Sequence, residues 1–161
     1  MELKELITKI EQWAIDRELD KKATVEAQSI KTAEEMAELI IGISKDNIEV
    51  IKDSIGDVFV TLVIGNMIDE KHNLMKILSG TKNIEYEGEK GGLICLISSS
   101  INSTMGMSYD SRVILWTIKK LKMACKFYNL EFTDCIESAY NEIKDRKGKT
   151  INGQFIKEED L

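Results

Sequence analysis

The chain has 161 residues and no proline, where average usage of about 5% predicts roughly eight, so collagen-like, proline-rich and linker-dominated organisations are excluded. The 43% hydrophobic and 31% charged shares fit a globular chain with one core, read as a single domain over 1–161. Twenty-eight acidic against twenty-two basic side chains give a formal net charge of -6, which argues against a general nucleic-acid binder or a protein held on anionic lipid.

From Glu2 to about Leu19, apolar residues Leu3, Leu6, Ile7, Ile10 and Trp13/Ala14 recur at helical spacing. A second helix is predicted from about Thr24, a good N-cap, to Ser44, and a third from Ile48 to about Glu70 behind the cap Asn47. The connection between these two is short, so they form an antiparallel hairpin. The segment 72–110 reads as an irregular insertion: a glycine-containing loop to Gly92 with room for a helical turn, a helix from about Leu93 to Thr104, and a second break. Helices are then expected over Arg112 to Tyr128, after an Asp110/Ser111 cap, and over Asp134 to about Lys147, capped near Thr133. The tail at about 148–161 carries Asn-Gly between short β-prone runs, the signal for a two-residue hairpin turn. The expected fold is all-α: an antiparallel bundle of about five helices outside the insertion, ending in a short β-hairpin.

The N-terminal segment lacks the apolar run of a signal peptide and no stretch reaches membrane-spanning length, so no export or insertion is expected. Cys95, Cys125 and Cys135 show no CxxC spacing and read as buried thiols in a reducing, cytoplasmic compartment. The methionines and Trp116 fall at core spacing.

The chemistry lies in the acidic residues of the second and third helices. With Ile30 at zero on the helical wheel, Glu34, Glu38 and Glu35 fall at roughly 40°, 80° and 140°, and Gln28 and Lys31 share their arc. On the next helix Asp53 and Asp57 lie roughly 40° apart, and the run DVFVTLVIGNMI beyond them is apolar on nearly every side. Carboxylates on a helix that becomes core one turn later must pair with cations, bind metal or become protonated. Across the hairpin, Glu34, Glu35 and Glu38 can face Asp53 and Asp57, and an all-oxygen donor set suits Mg²⁺ or Mn²⁺. A ferritin-like di-iron site is set aside, because the single histidine, His72, lies outside these helices. The alternative is a pair of solvated acidic helix faces.

The runs QSIKTAEEMAELI and IKDSIGDVFVTLV resemble the MazG-type all-α nucleoside triphosphate pyrophosphohydrolases, whose signature is Glu-Glu-x-x-Glu, a spacer, then Glu-x-x-Asp. Glu34, Glu35 and Glu38 match the first half and Asp57 the last position, whereas Ser54 replaces the second half's leading glutamate and Asp53 stands one residue earlier. The resemblance covers most of 24–64 and recurs in AYNEIKDRKGKTINGQF. It implies cleavage of a nucleoside triphosphate between the α and β phosphates, with Mg²⁺ as cofactor and Mn²⁺ as substitute, in a homodimer or homotetramer. In that reading Glu34, Glu35, Glu38 and Asp57 are catalytic, and with Asp53 they hold metal.

Asn141, Lys144, Arg146, Lys147 and Lys149 concentrate positive charge near the predicted end of the last helix. They read either as phosphate contacts or as cations favourably placed at a helix C-terminus, and the resemblance favours phosphate binding for Lys144 and Arg146. Trp13, Gln28 and Lys31 are candidates for the base and sugar side of a pocket; Trp13 lies on the apolar stripe of the first helix and reads first as a core residue, whereas Gln28 and Lys31 share the acidic arc. The competing function, motivated by Ser54, is a catalytically weak nucleotide-binding, regulatory or oligomeric module.

Overall fold

A computed structural model describes residues 1–69, 71–107 and 109–161. Among them α1 (Leu3–Asp16), α2 (Leu19–Lys22), α3 (Val25–Ser44), α4 (Ile48–Ile68), α5 (Leu74–Ser79), α6 (Lys90–Met107), α7 (Ser111–Phe127) and α8 (Phe132–Ile143) precede strands β1 (Gly148–Ile151) and β2 (Gln154–Lys157) and a 3-10 turn at Glu158–Asp160. The chain is mostly helical as expected, with more helices than the five predicted. No described helix is long and apolar enough to cross a membrane.

The differences have local causes. The first predicted helix is split after Asp16 because Glu18 takes a left-handed backbone, φ 58°. The expected caps of α3 and α4 form: Thr24 accepts from the Ala27 N–H and Asn47 from the Val50 N–H. The predicted end of the third helix at Glu70 lies outside the described residues, as does Ser108 in the second break. In the segment 72–110 the expected helical turn and the expected helix from about Leu93 to Thr104 are both present, and the correction is that the helix is longer and the segment less irregular than predicted. It contains α5 and the long α6, which begins at Lys90 and runs through Gly91 and Gly92 because Leu93, Ile97, Ser100 and Thr104 are buried where α6 packs on α3 and α7. The last helix starts at Phe132, with no side-chain cap at Glu131, and stops at Ile143 rather than about Lys147. There Trp13 on α1 and Arg17 just after it bond to carbonyls at and beyond the helix end: the Trp13 indole donates to the Ile143 carbonyl at 2.7 Å and the Arg17 Nε donates to the Arg146 carbonyl at 2.9 Å. Trp116 is 54% exposed beneath the Lys119 ammonium, and Cys95 is exposed, whereas Cys125 and Cys135 are buried as expected.

The centre of the fold is α4, which packs against α1, α2, α3, α7 and α8. Its residues from Val58 through Met67 are all buried. The contact with α8 is close at Gly56, where an added Cβ would lie 2.3 Å from the Cys135 carbonyl oxygen and 2.6 Å from the Ala139 Cβ. A glycine there lets two backbones touch and fixes the height of α8 against Asp53 and Asp57. The C-terminal hairpin forms at the Asn-Gly turn as predicted, with Asn152 and Gly153 at φ 51° and 84°. It is docked on the helices: the Gly153 carbonyl accepts from the Thr24 N–H, Thr150 donates to the Arg17 carbonyl, and Phe155 meets Trp13 edge to face at 5.4 Å.

Gly56→Ala is therefore expected to destabilise by about 1–3 kcal/mol, read as a lower melting temperature. Gly91→Ala, whose Cβ would meet nothing within 4 Å, should leave it unchanged or slightly raised. Equal melting temperatures for the two variants would contradict the assigned α4–α8 contact.

Candidate functional site

The hairpin of α3 and α4, the end of α8 and the strands of the C-terminal hairpin enclose a cavity of about 470 Å³. All five predicted acidic residues, Glu34, Glu35, Glu38, Asp53 and Asp57, line it, together with Gln28, Lys31 and Arg146. α3 and α4 are antiparallel neighbours, so residues at helical spacing on each contribute one row of side chains to a shared wall.

The environments of the carboxylates differ. Glu34 and Glu38 are exposed at the rim, whereas Glu35 is 6% exposed and is held by Lys31, whose Nζ lies 2.6 Å from Glu35 Oε1 and 3.3 Å from Glu34 Oε2. Burial works against the Lys31 charge, and the two paired glutamates outweigh it, keeping the ammonium above its usual range. Asp57 has no such partner among the described residues. Burial, then the negative charges of Glu35 and Asp53, push its carboxyl up from 3.8 to about 7, and the opposing field of Arg146 is too weak to restore it. Asp53 is raised in the same direction by burial and by the charge and hydrogen bonding of Glu142, and its Oδ1 is buried with no hydrogen-bond partner among the described residues.

These features fit a bound cation. An orphaned carboxylate oxygen and a crowded, incompletely ionised neighbour are both relieved by a divalent ion, and a donor set of oxygen alone suits Mg²⁺ or Mn²⁺. Among the described residues no three acidic, histidine or cysteine side chains are gathered at one point as a finished cage. The carboxylates share a cavity rather than a common centre.

The geometry separates Ser54 from Asp53. Ser54 is 2% exposed and does not line the cavity, whereas Asp53 does, because one residue along a helix turns the side chain by about 100°. Of the basic cluster, only Arg146 reaches this cavity; Asn141, Lys144 and Lys149 are exposed and do not line it, and Lys144 donates to the Asn141 side chain at 3.1 Å. The helix stops at Ile143, which changes the phase of everything after it. Lys147 lines a second recess of about 420 Å³ that shares Arg146 and Lys157 with the first cavity. Sequence reasoning missed Glu142, Phe155 and Lys157 as wall residues. For Glu142 the signal was present: with Ile143 and Arg146 it belongs to the segment already singled out for its charge.

No family profile and no solved structure matches the chain. It is 34% identical, over 86% of its own length and 98% of the relative's, to the uncharacterized 18.2 kDa protein in the rep-hol intergenic region of Haemophilus phage HP1, strain HP1c1.

The raised Asp57 sets a pH dependence of stability. Its folded pKa lies above the unfolded value, so the group imposes no penalty below about 3.8; the penalty grows as pH rises towards about 7 and is constant above that. In divalent-free buffer, Asp57→Asn should melt higher than the parent at pH 8, by the equivalent of a few kcal/mol, with the gap closing near pH 4. A gap independent of pH would refute the assigned burial.

Proposed function

Because the chain belongs to the family of that Haemophilus phage HP1 protein, whose name specifies no activity, we propose its function from the cavity: a nucleoside triphosphate pyrophosphohydrolase that releases the monophosphate and pyrophosphate. The observation that carries this reading is the convergence of Glu34, Glu35, Glu38, Asp53 and Asp57 on one cavity that also holds Arg146. The MazG-type resemblance of the same residues supports it.

A triphosphate carries three to four negative charges, so five carboxylates would repel it unless they were occupied by divalent cation. Glu34, Glu35, Glu38, Asp53 and Asp57 are the residues that would hold Mg²⁺ or Mn²⁺, which when bound supplies charge neutralisation between carboxylate and phosphate oxygens and polarises water. The chain's own groups divide the remaining work. Arg146 offers a planar guanidinium for bidentate contact with the β and γ phosphates, and Lys157 stands in the same wall. Glu35 is committed to Lys31, whereas Glu38 makes no ion pair or hydrogen bond among the described residues and is free to accept the proton of the attacking water. Lys31 limits the negative charge of the wall without neutralising it.

With a panel of nucleoside triphosphates and Mg²⁺, the products should be monophosphate and pyrophosphate, and Glu38→Gln should lower kcat/KM by about a hundredfold or more with the fold retained. Release of orthophosphate, or no turnover at enzyme concentrations near the substrate's, would reject the reading. Mg²⁺ alone should raise the melting temperature of the parent, and that rise should shrink in Asp57→Asn; an equal rise in both would remove Asp57 from the cation site.

A further inference from the structure

The cavity is polarised along its length. Along the antiparallel pair of α3 and α4, Glu34, Glu35, Glu38, Asp53 and Asp57 stand towards one end and Gln28, Val60 and Ile64 towards the other, with Trp13, Leu19 and Phe155 adding apolar wall. Gln28 stands in the apolar part, seven residues or about 10 Å along α3 from Glu35. That separation matches the span between the phosphates of a nucleotide and its base.

The orientation of Gln28 is settled by its partner. Its Nε2 donates at 3.1 Å to the backbone carbonyl of Thr61 on α4. A carbonyl oxygen can only accept, so the amide cannot flip without placing two oxygens against each other. Gln28 is 7% exposed, and its Oε1 accepts no hydrogen bond among the described residues yet is not one of the sealed, unsatisfied atoms of the interior. It is therefore an acceptor held at the cavity surface and waiting for a donor.

We propose that Gln28 Oε1 meets the base at the 4-position of a pyrimidine or the 6-position of a purine, so that the site prefers cytosine and adenine nucleotides, which carry an amino group there, to uracil and thymine nucleotides, which carry a carbonyl. This inference rests on the nucleotide reading of the cavity. An amino group completes the acceptor's hydrogen bond within an apolar surround, whereas the carbonyl that uracil or thymine presents there sets oxygen against oxygen and leaves both unpaired. Trp13 and Phe155, in edge-to-face contact at 5.4 Å, supply apolar surface for a flat heterocycle, and Arg17 lies over the Trp13 ring at 4.4 Å and fixes its position.

The test is calorimetric titration of the full chain, in Mg²⁺, with the α,β-imido analogues of dCTP, dATP, dTTP and dUTP, which bind without being cleaved. The dCTP and dATP analogues should bind about tenfold or more tightly than the dTTP and dUTP analogues. In Gln28→Met, near in volume but without the acceptor, that ratio should fall to about one, and Gln28→Asn serves as a polar control that withdraws the acceptor without adding an apolar group. Equal binding of all four analogues, tighter binding of the uracil and thymine analogues, or a ratio unchanged in Gln28→Met would overturn the assignment of Gln28 while leaving pyrophosphohydrolysis standing. Selective binding without turnover of the parent triphosphates would sink the activity and keep the base site. Failure of every analogue to bind would reject both.

Discussion

Burial of ionisable oxygen on a helix that has almost no solvent-facing side is the constraint from which the site follows. α4 is surrounded by α1, α2, α3, α7 and α8, so Asp53 and Asp57 stand at the last point before its surface becomes core. Their desolvation is costly, and the cations within reach offset it only in part. Lys31 is committed to Glu35 and Glu34, and the field of Arg146 lowers Asp57 less than burial and its acidic neighbours raise it. The fold thus retains an electrostatic deficit at one place, and the deficit has the chemistry of an oxygen-lined cation site.

Closing that place requires parts distant in sequence. Trp13 on α1 and Arg17 just after it take the carbonyls of Ile143, where α8 ends, and of Arg146, three residues further on, which holds the chain in the turn that carries Arg146 to the cavity. The same Trp13 receives Phe155 from the hairpin, and the hairpin's turn bonds back to the first residue of α3's cap at Thr24. A two-stranded hairpin is marginal in isolation. Here it is stabilised by packing against the helices that its presence completes, and the N- and C-terminal segments meet at the cavity.

Much of this was legible in the sequence where the determinants are local. Thr24 and Asn47 cap as their side chains dictate, Asn152-Gly153 turns as its backbone allows, and the wheel positions of Glu34, Glu35, Glu38, Asp53 and Asp57 translate directly into one wall because the helices between them are regular. The glycines at 91 and 92 were misleading as punctuation, since burial of Leu93 and Ile97 outweighs the helix cost of two glycines. Trp116 was misplaced for the opposite reason: helical spacing shows that residues share a face but not that another element covers it.

The basic cluster marks the boundary between the two kinds of information. That positive charge gathers at 141–149 is a property of the sequence, and so is the acidic wall it was expected to face. Which of those cations reaches the wall depends on where α8 ends and on the turn beyond it, which is held by Trp13 and Arg17, more than a hundred residues away, through hydrogen bonds to carbonyls that any sequence would carry. Periodicity carries side-chain direction only as far as a helix continues. Beyond Ile143 it is tertiary contact that brings Arg146, Lys157 and Phe155 into the cavity and leaves Asn141, Lys144 and Lys149 in water.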